Sequence, residues 1–284
     1  MKNGFKTAVL LAGLAGLMMF LGSFFGRGGL AIAFVLALVM IGGSYWFSDK
    51  VAIRAARAVE VPPGRLPEYH AVMAELAQLA GVPMPKLYVS PEQQPNAFAT
   101  GRNPDHAAVC VTEGLLQALT WDEIRGVLAH ELSHIRNRDV LIGSVAATIA
   151  TAISFAANMA MWGAMFGGGG DDDDANPFAM LLLAILAPIA AGLIQMAISR
   201  SREFEADRTA ARWLDDGEPL ARALEKLHGY SQRIPSHVQP AQASHYIVNP
   251  LSGRKQGLAN LFSTHPRAEE RIRILRSGQW RSLV

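Results

Sequence analysis

Long uncharged runs alternate with polar stretches along this chain. Thr7 to Gly26 and Gly28 to Ser48 carry no charged residue and are split only by Arg27. Each is about 20 residues long, enough for one helical membrane span, with a tight turn between the two. Val140 to Gly170 and Ala175 to Ser199 form a second uncharged pair around "DDDD", Asp171 to Asp174. The pattern predicts about four transmembrane helices in two hairpins. A cleaved leader is a poor reading of the first run, despite Lys2 and Lys6 ahead of it. The run is too long, no A-x-A-like site follows, and a second span begins at once. The third run holds Asn158 and Trp162 and ends in "GGGG", a composition that also suits an interfacial or groove-packed piece.

Cationic residues orient the spans. Lys2, Lys6, Lys50, Arg54, Arg57, Arg136, Arg138, Arg200 and Arg202 flank them on one side, with Arg27 and the four aspartates on the other. Both termini and the polar mass are therefore expected at the cytoplasmic face. The expected organisation is a hairpin over 1–48, a first catalytic piece over 49–139, a second hairpin over 140–199 and a second catalytic piece over 200–284. One cytoplasmic domain is thus assembled from two segments.

Within the polar pieces the period changes. "PEYHAVMAELAQLAGVPMP" reads as a helix ended by Gly81 and Pro83, and "KLYVS" and "AAVCVT" read as short strands. The intervening "PEQQPNAFATGRNPDH" is rich in turn formers and is expected to be a loop. Ile124, Val127, Leu128, Leu132 and Ile135 recur at amphipathic helical spacing, and Thr120 with Glu123 forms a capping-box signature at the start.

That helix carries "HELSH". Residues four apart lie one turn above each other, so His130 and His134 can point at one metal ion, with Glu131 beside it as general base. Zinc accepts such nitrogen ligands and, in catalytic sites, keeps a position for water. A third ligand is needed. In "SRSREFEADRTAARWLDDG", Glu203 and Asp207 share a face with Ala210, Ala211 and Leu214. Either carboxylate could complete the set while the other orients a histidine, and helical spacing does not choose between them.

Composition narrows the alternatives. Half of the 284 residues are hydrophobic and 18% are charged, as in membrane proteins rather than soluble enzymes. The net charge of +2 and the lack of a basic stripe speak against a nucleic-acid partner. Cys110 is the single cysteine, which excludes a disulfide framework and a thiolate zinc cluster and reads as a buried structural thiol. The acidic run reads as a solvated loop, the remaining histidines as structural, and the methionines as packing within the spans.

"HELSH" followed, after an apolar hairpin, by "SREFEAD" resembles the M48 family of membrane zinc metalloproteases, and the four-span plan is similar to its bacterial HtpX-like branch. "NAFATG" and "STHPRAEERI" extend the likeness over nearly the whole chain. The resemblance implies a mainly α integral membrane protein with a zincin-like α+β cytoplasmic catalytic domain, in the bacterial inner membrane. It implies one Zn²⁺ per chain on His130, His134 and Glu203, with Asp207 supporting a ligand histidine. It also implies His265 and Arg271 near the metal as transition-state donors, and Asn96, Ala97 and Phe98 leading into an edge strand that an extended substrate would join. The implied activity is cleavage of misfolded or damaged membrane proteins in quality control, with the lipid bilayer as a further partner. Two rival classes are a non-catalytic zinc-binding membrane scaffold and a transporter. The first gives Glu131 no reason to stand there, and the second expects ionisable residues inside the spans.

Overall fold

The computed structural model describes Val35, Trp46, residues 50–139 and 200–233, Ile247 and residues 266–281. Apart from Val35 and Trp46, the predicted spans lie outside these described residues, as do the "DDDD" loop and His265. Among the described residues no helix is long and apolar enough to cross a membrane. The chain divides into two units, Met1–Tyr45 with Ile142–Ala197, and Trp46–Leu141 with Ile198–Val284. The second unit holds all of the described residues except Val35.

A four-stranded sheet forms the base of this second unit. The strands are β1 (Val59–Glu60), β2 (Lys86–Ser90), β3 (Ala97–Gly101) and β4 (Ala107–Thr112), in the spatial order β1-β2-β4-β3. β2 and β4 run parallel, and β1 and β3 are antiparallel to their neighbours. The strands expected at "KLYVS" and "AAVCVT" are present. The loop expected between them is corrected, because Ala97–Gly101 forms a fully buried edge strand and Pro104–His106 a 3₁₀ turn. The turn formers crowd into the two flanks and leave "AFATG" free to pair with β4. Gly101 makes the return tight: its φ is +130°, and a Cβ there would lie 2.3 Å from the His106 carbonyl oxygen.

Among the described residues, the helices that follow or interrupt the strands are α1 (Pro67–Ala80), α2 (Glu113–Ala118), α3 (Trp121–Asn137), α4 (helical over 200–214), α5 (Glu218–Arg233) and α6 (Ala268–Arg276). α1 starts on Pro67 and ends on Gly81 in the left-handed conformation, whose N–H reaches the Ala77 and Gln78 carbonyls. It buries Tyr69, Met73, Leu76, Ala77 and Ala80, one stripe at helical spacing, and the Tyr69 hydroxyl donates to the Val109 carbonyl on β4.

The capping box predicted for α3 is formed. The Thr120 side chain accepts from the Glu123 N–H, and the Glu123 carboxylate accepts from the Thr120 N–H at 2.8 Å. α3 packs against β3, α1 and α5, so its faces are almost entirely covered. α5 in turn packs on α6. The C-terminal turn closes this side: Arg212 donates to the Trp280 carbonyl and the Trp280 indole to the Leu275 carbonyl, both at 2.9 Å. Cys110 is buried on β4, and burial pushes its thiol up to about 12.

Gly126 sets the distance between α3 and α5. A Cβ at this position would lie 2.6 Å from the Leu220 backbone nitrogen, closer than packed atoms tolerate. Gly→Ala inside a helix ordinarily stabilises by about 1 kcal/mol. Here the sign is expected to reverse, and thermal unfolding of Gly126→Ala should show a lower midpoint than the unaltered chain.

Candidate metal centre

α3 and α4 supply the site. His130 and His134 stand one turn apart on α3, and α4 brings Glu203 opposite them. The His130 and His134 Nε2 atoms are 3.2 Å apart. The Glu203 carboxylate reaches both rings, with Oε2 at 3.4 Å from His130 Nε2 and Oε1 at 3.5 Å from His134 Nε2. The ligand atoms of the three residues all fall within 4.8 Å of one another.

The other ring nitrogens are engaged. His130 Nδ1 lies 2.9 Å from Asp207 Oδ1, and His134 Nδ1 lies 3.0 Å from Asp139 Oδ2. An Nδ1–H held by a carboxylate leaves the Nε2 lone pair for a metal, so both imidazoles point their free donor at the same place. Asp207 is in turn gripped by Arg271, whose Nε and Nη2 donate to its two oxygens at 2.7 Å each. This fork is fully buried, and the remaining Arg271 nitrogen, Nη1, donates to the Ile247 carbonyl at 2.7 Å and stands 3.5 Å from Glu203. Arg271 thus supplies the counter-charge for the buried carboxylates of Asp207 and Glu203.

These contacts set the electrostatics. Burial by itself would lower the His130 imidazole, but its hydrogen bonds with Asp207 and Glu203 raise it to about 9. Burial raises the Glu131 carboxyl above its ordinary value, with Glu203 adding to the rise against the two histidines and the Ala99 N–H. Asp207 goes the other way. Burial would raise it, and the Arg271 charge and hydrogen bonds outweigh that and hold it low.

The donor set fits a divalent cation. Two imidazole nitrogens and a carboxylate are the ligands that zinc accepts, at helical spacing that needs no rearrangement of α3. Charge agrees: four carboxylates, those of Glu131, Asp139, Glu203 and Asp207, face two guanidinium groups, Arg202 and Arg271, in a largely buried cluster, and this surplus of acid is what holds a proton on His130. Buried charge of that kind calls for a counter-ion.

Glu131 sits one residue beyond His130 and accepts a hydrogen bond from the Ala99 N–H of β3 at 2.8 Å. The edge strand therefore runs directly past the carboxylate. Ala99 turns its N–H away from β4, as alternate residues of an antiparallel edge strand do. Asn96 precedes this strand and is buried. Its N–H donates to Thr112 Oγ1, its carbonyl accepts from the Thr112 N–H, and its side-chain oxygen accepts from the Ile247 N–H. Ala97 and Phe98 are buried as well, with Phe98 opposite Cys110 on β4.

Among the described residues, His70, His106 and His228 make other contacts, to the Val61 carbonyl, Asn103 and Glu269 respectively. Two residues at the site were missed by sequence reasoning, Asp139 and Arg202. The available signal for Asp139 was an acidic residue just past the end of a ligand-bearing helix. For Arg202 it was a cation directly ahead of Glu203.

Comparison with known proteins gives this arrangement a family. The model for peptidase family M48 matches residues 63–279. A protease HtpX homolog of Syntrophobacter fumaroxidans is 53% identical over 283 residues, covering 98% of this chain and all of the relative. One from Desulfatibacillum aliphaticivorans is 52% identical over 276 residues, or 96% of this chain and 88% of the relative. Another, from Syntrophotalea carbinolica, is 53% identical over 277 residues, covering 96% and 98%. Among solved structures, the fold is similar to that of S. mikatae Ste24p, with a TM-score of 0.59 and 20% identity. That alignment covers 96% of this chain and 65% of the Ste24p chain. By the family match over most of its length and by relatives that share half of its residues, the chain belongs to peptidase family M48 and is a metallopeptidase.

Proposed function

We propose that the chain is a membrane-anchored zinc endopeptidase that cuts misfolded or damaged membrane proteins at the cytoplasmic face. The observation that carries this reading is the convergence of His130, His134 and Glu203 beside the buried carboxylate of Glu131. His130, His134 and Glu203 would hold the ion, one per chain. When bound, zinc polarises the scissile carbonyl and makes a water acidic enough to lose a proton near neutral pH. Glu131 takes that proton and returns it to the leaving amine, a task suited to a carboxyl whose proton affinity burial has raised. Asp207 orients His130, and Arg271 keeps Asp207 ionised.

β3 supplies the track for the substrate. An extended, unfolded segment would add to the side of β3 turned away from β4 through main-chain hydrogen bonds, with the Ala99 N–H given up by Glu131, reading sequence loosely. Asn96, Ala97 and Phe98 support that edge from inside, with Asn96 anchoring the chain at Ile247. His265 belongs to the same proposal as a donor near the reacting carbonyl. The paired apolar runs within 7–48 and 140–199 supply the anchor, and the cationic residues at their ends favour the cytoplasmic side. A zinc-holding scaffold would use the same ligands but gains nothing from Glu131.

Glu131→Gln is expected to keep about one zinc per chain and to lose cleavage of an unfolded model substrate by about 10²–10⁴-fold. Metal analysis and a proteolysis assay on the same purified sample check this, and an active variant would remove Glu131 from the mechanism. Metal removal provides a second check. With His130 at about 9 in the metal-free protein, zinc binding at neutral pH must displace its proton. Apparent affinity should therefore weaken as pH falls below about 9, and calorimetry in buffers of different ionisation enthalpy should register proton release. Arg271→Leu leaves Asp207 buried without its partner, and a loss of about 3–5 kcal/mol in stability is expected. Denaturant unfolding would measure it, with Arg271→Lys recovering only part because an ammonium cannot form the fork.

A further inference from the structure

We propose that Asp139, tethered by Arg202, is a positioning residue for His134, the counterpart of what Asp207 and Arg271 do for His130. The inference rests on the reading that His134 binds a metal. It starts from an unusual reach: Asp139 is five residues after His134, a separation that on a continuous helix turns a side chain about 140° away. Its carboxylate nevertheless comes to 3.0 Å from His134 Nδ1.

Arg138 makes this possible. It caps α3 in the left-handed conformation, φ 59° and ψ 32°, and its N–H closes onto the His134 and Ile135 carbonyls. The helical course breaks at that residue, and the Asp139 carboxylate comes to His134. Such a backbone is unfavourable for a non-glycine residue. Arg138 itself is exposed, so packing of its side chain offers no compensation, whereas the Asp139 side chain is buried against the ring.

Arg202 fixes the far side of the turn. Its Nη1 donates to the Asp139 carbonyl at 2.6 Å. Arg202 directly precedes Glu203, so one contact ties the helix carrying the third ligand to the residue that orients the second. The Nδ1–H of His134 given to Asp139 fixes the tautomer that leaves Nε2 for the metal, 3.2 Å from its His130 counterpart. The two histidines are thus each backed by an aspartate, and each aspartate is anchored by an arginine, through the carboxylate at Asp207 and through the backbone carbonyl at Asp139.

The test is a metal titration of the full chain in detergent, stripped with chelator and titrated with Zn²⁺ against a competing indicator, then with Co²⁺ followed by its visible absorption. Asp139→Ala is expected to weaken Zn²⁺ binding by about 10–100-fold and to shift the Co²⁺ bands. Asp139→Asn keeps an acceptor oxygen at the same reach and is expected to retain most of the affinity. A merely structural aspartate would not change the Co²⁺ spectrum. Should Asp139→Ala fail to fold, Asp139→Glu carries the test, since its extra methylene displaces the carboxylate from Nδ1: altered Co²⁺ bands support the assignment and unaltered bands overturn it. Wild-type Zn²⁺ binding with an unchanged Asp139→Ala affinity overturns this inference alone. A wild-type chain that binds neither ion overturns the metal reading as well.

Discussion

The fork between Arg271 and Asp207 is the interaction on which the rest of the site depends. It joins a residue near the C-terminus to one on α4, and through Asp207 it reaches His130 on α3. Both groups are almost wholly out of water, where an unpartnered carboxylate or guanidinium could not remain charged without a large penalty. The pair is therefore a mutual requirement: each charge is tolerable only because the other is there. Through Asp207 the pair also holds His130, across the 140–199 segment that separates α3 from α4 in sequence.

Around the fork the scaffold is built to hold rather than to adapt. The capping box fixes the start of α3, the left-handed Arg138 fixes its end, and a glycine lets α5 approach its middle. The sheet contributes an edge strand whose backbone meets the site, the Ala99 N–H donating to Glu131. Buried side chains from α3 and α4 and a backbone group of β3 thus divide the contacts of the site between them.

Much of this was legible in the residues. "HELSH" announces its own geometry because the helical repeat places positions four apart together, and the apolar spacing and the Thr120–Glu123 signature say that a helix is there. "KLYVS" and "AAVCVT" read as strands because β-branched and apolar residues run between turn formers. β3 was not legible in the local pattern and came only from resemblance, since "AFATG" is short, rich in small residues and surrounded by proline, asparagine and glycine; its pairing with β4 is a tertiary fact. The choice between Glu203 and Asp207 was likewise beyond helical spacing, which puts both on one face, and came from resemblance. Asp139 could not be found from periodicity, because its reach depends on a left-handed residue that no arginine announces. The burial of Arg271 and its grip on Asp207 depend on contacts 64 residues apart and left no local trace.

The position of Cys110 has a practical side. It is the single cysteine of the chain, it lies at the centre of the sheet without solvent exposure, and its thiol is pushed up to about 12. Alkylating and disulfide-forming reagents act on exposed thiolates, and this sulfur offers neither exposure nor charge at neutral pH. The native chain is thus a silent background for thiol labelling: a cysteine introduced on β3 or beside the metal site would be the one group that a fluorophore or spin label finds, with no prior removal of the natural residue from the core.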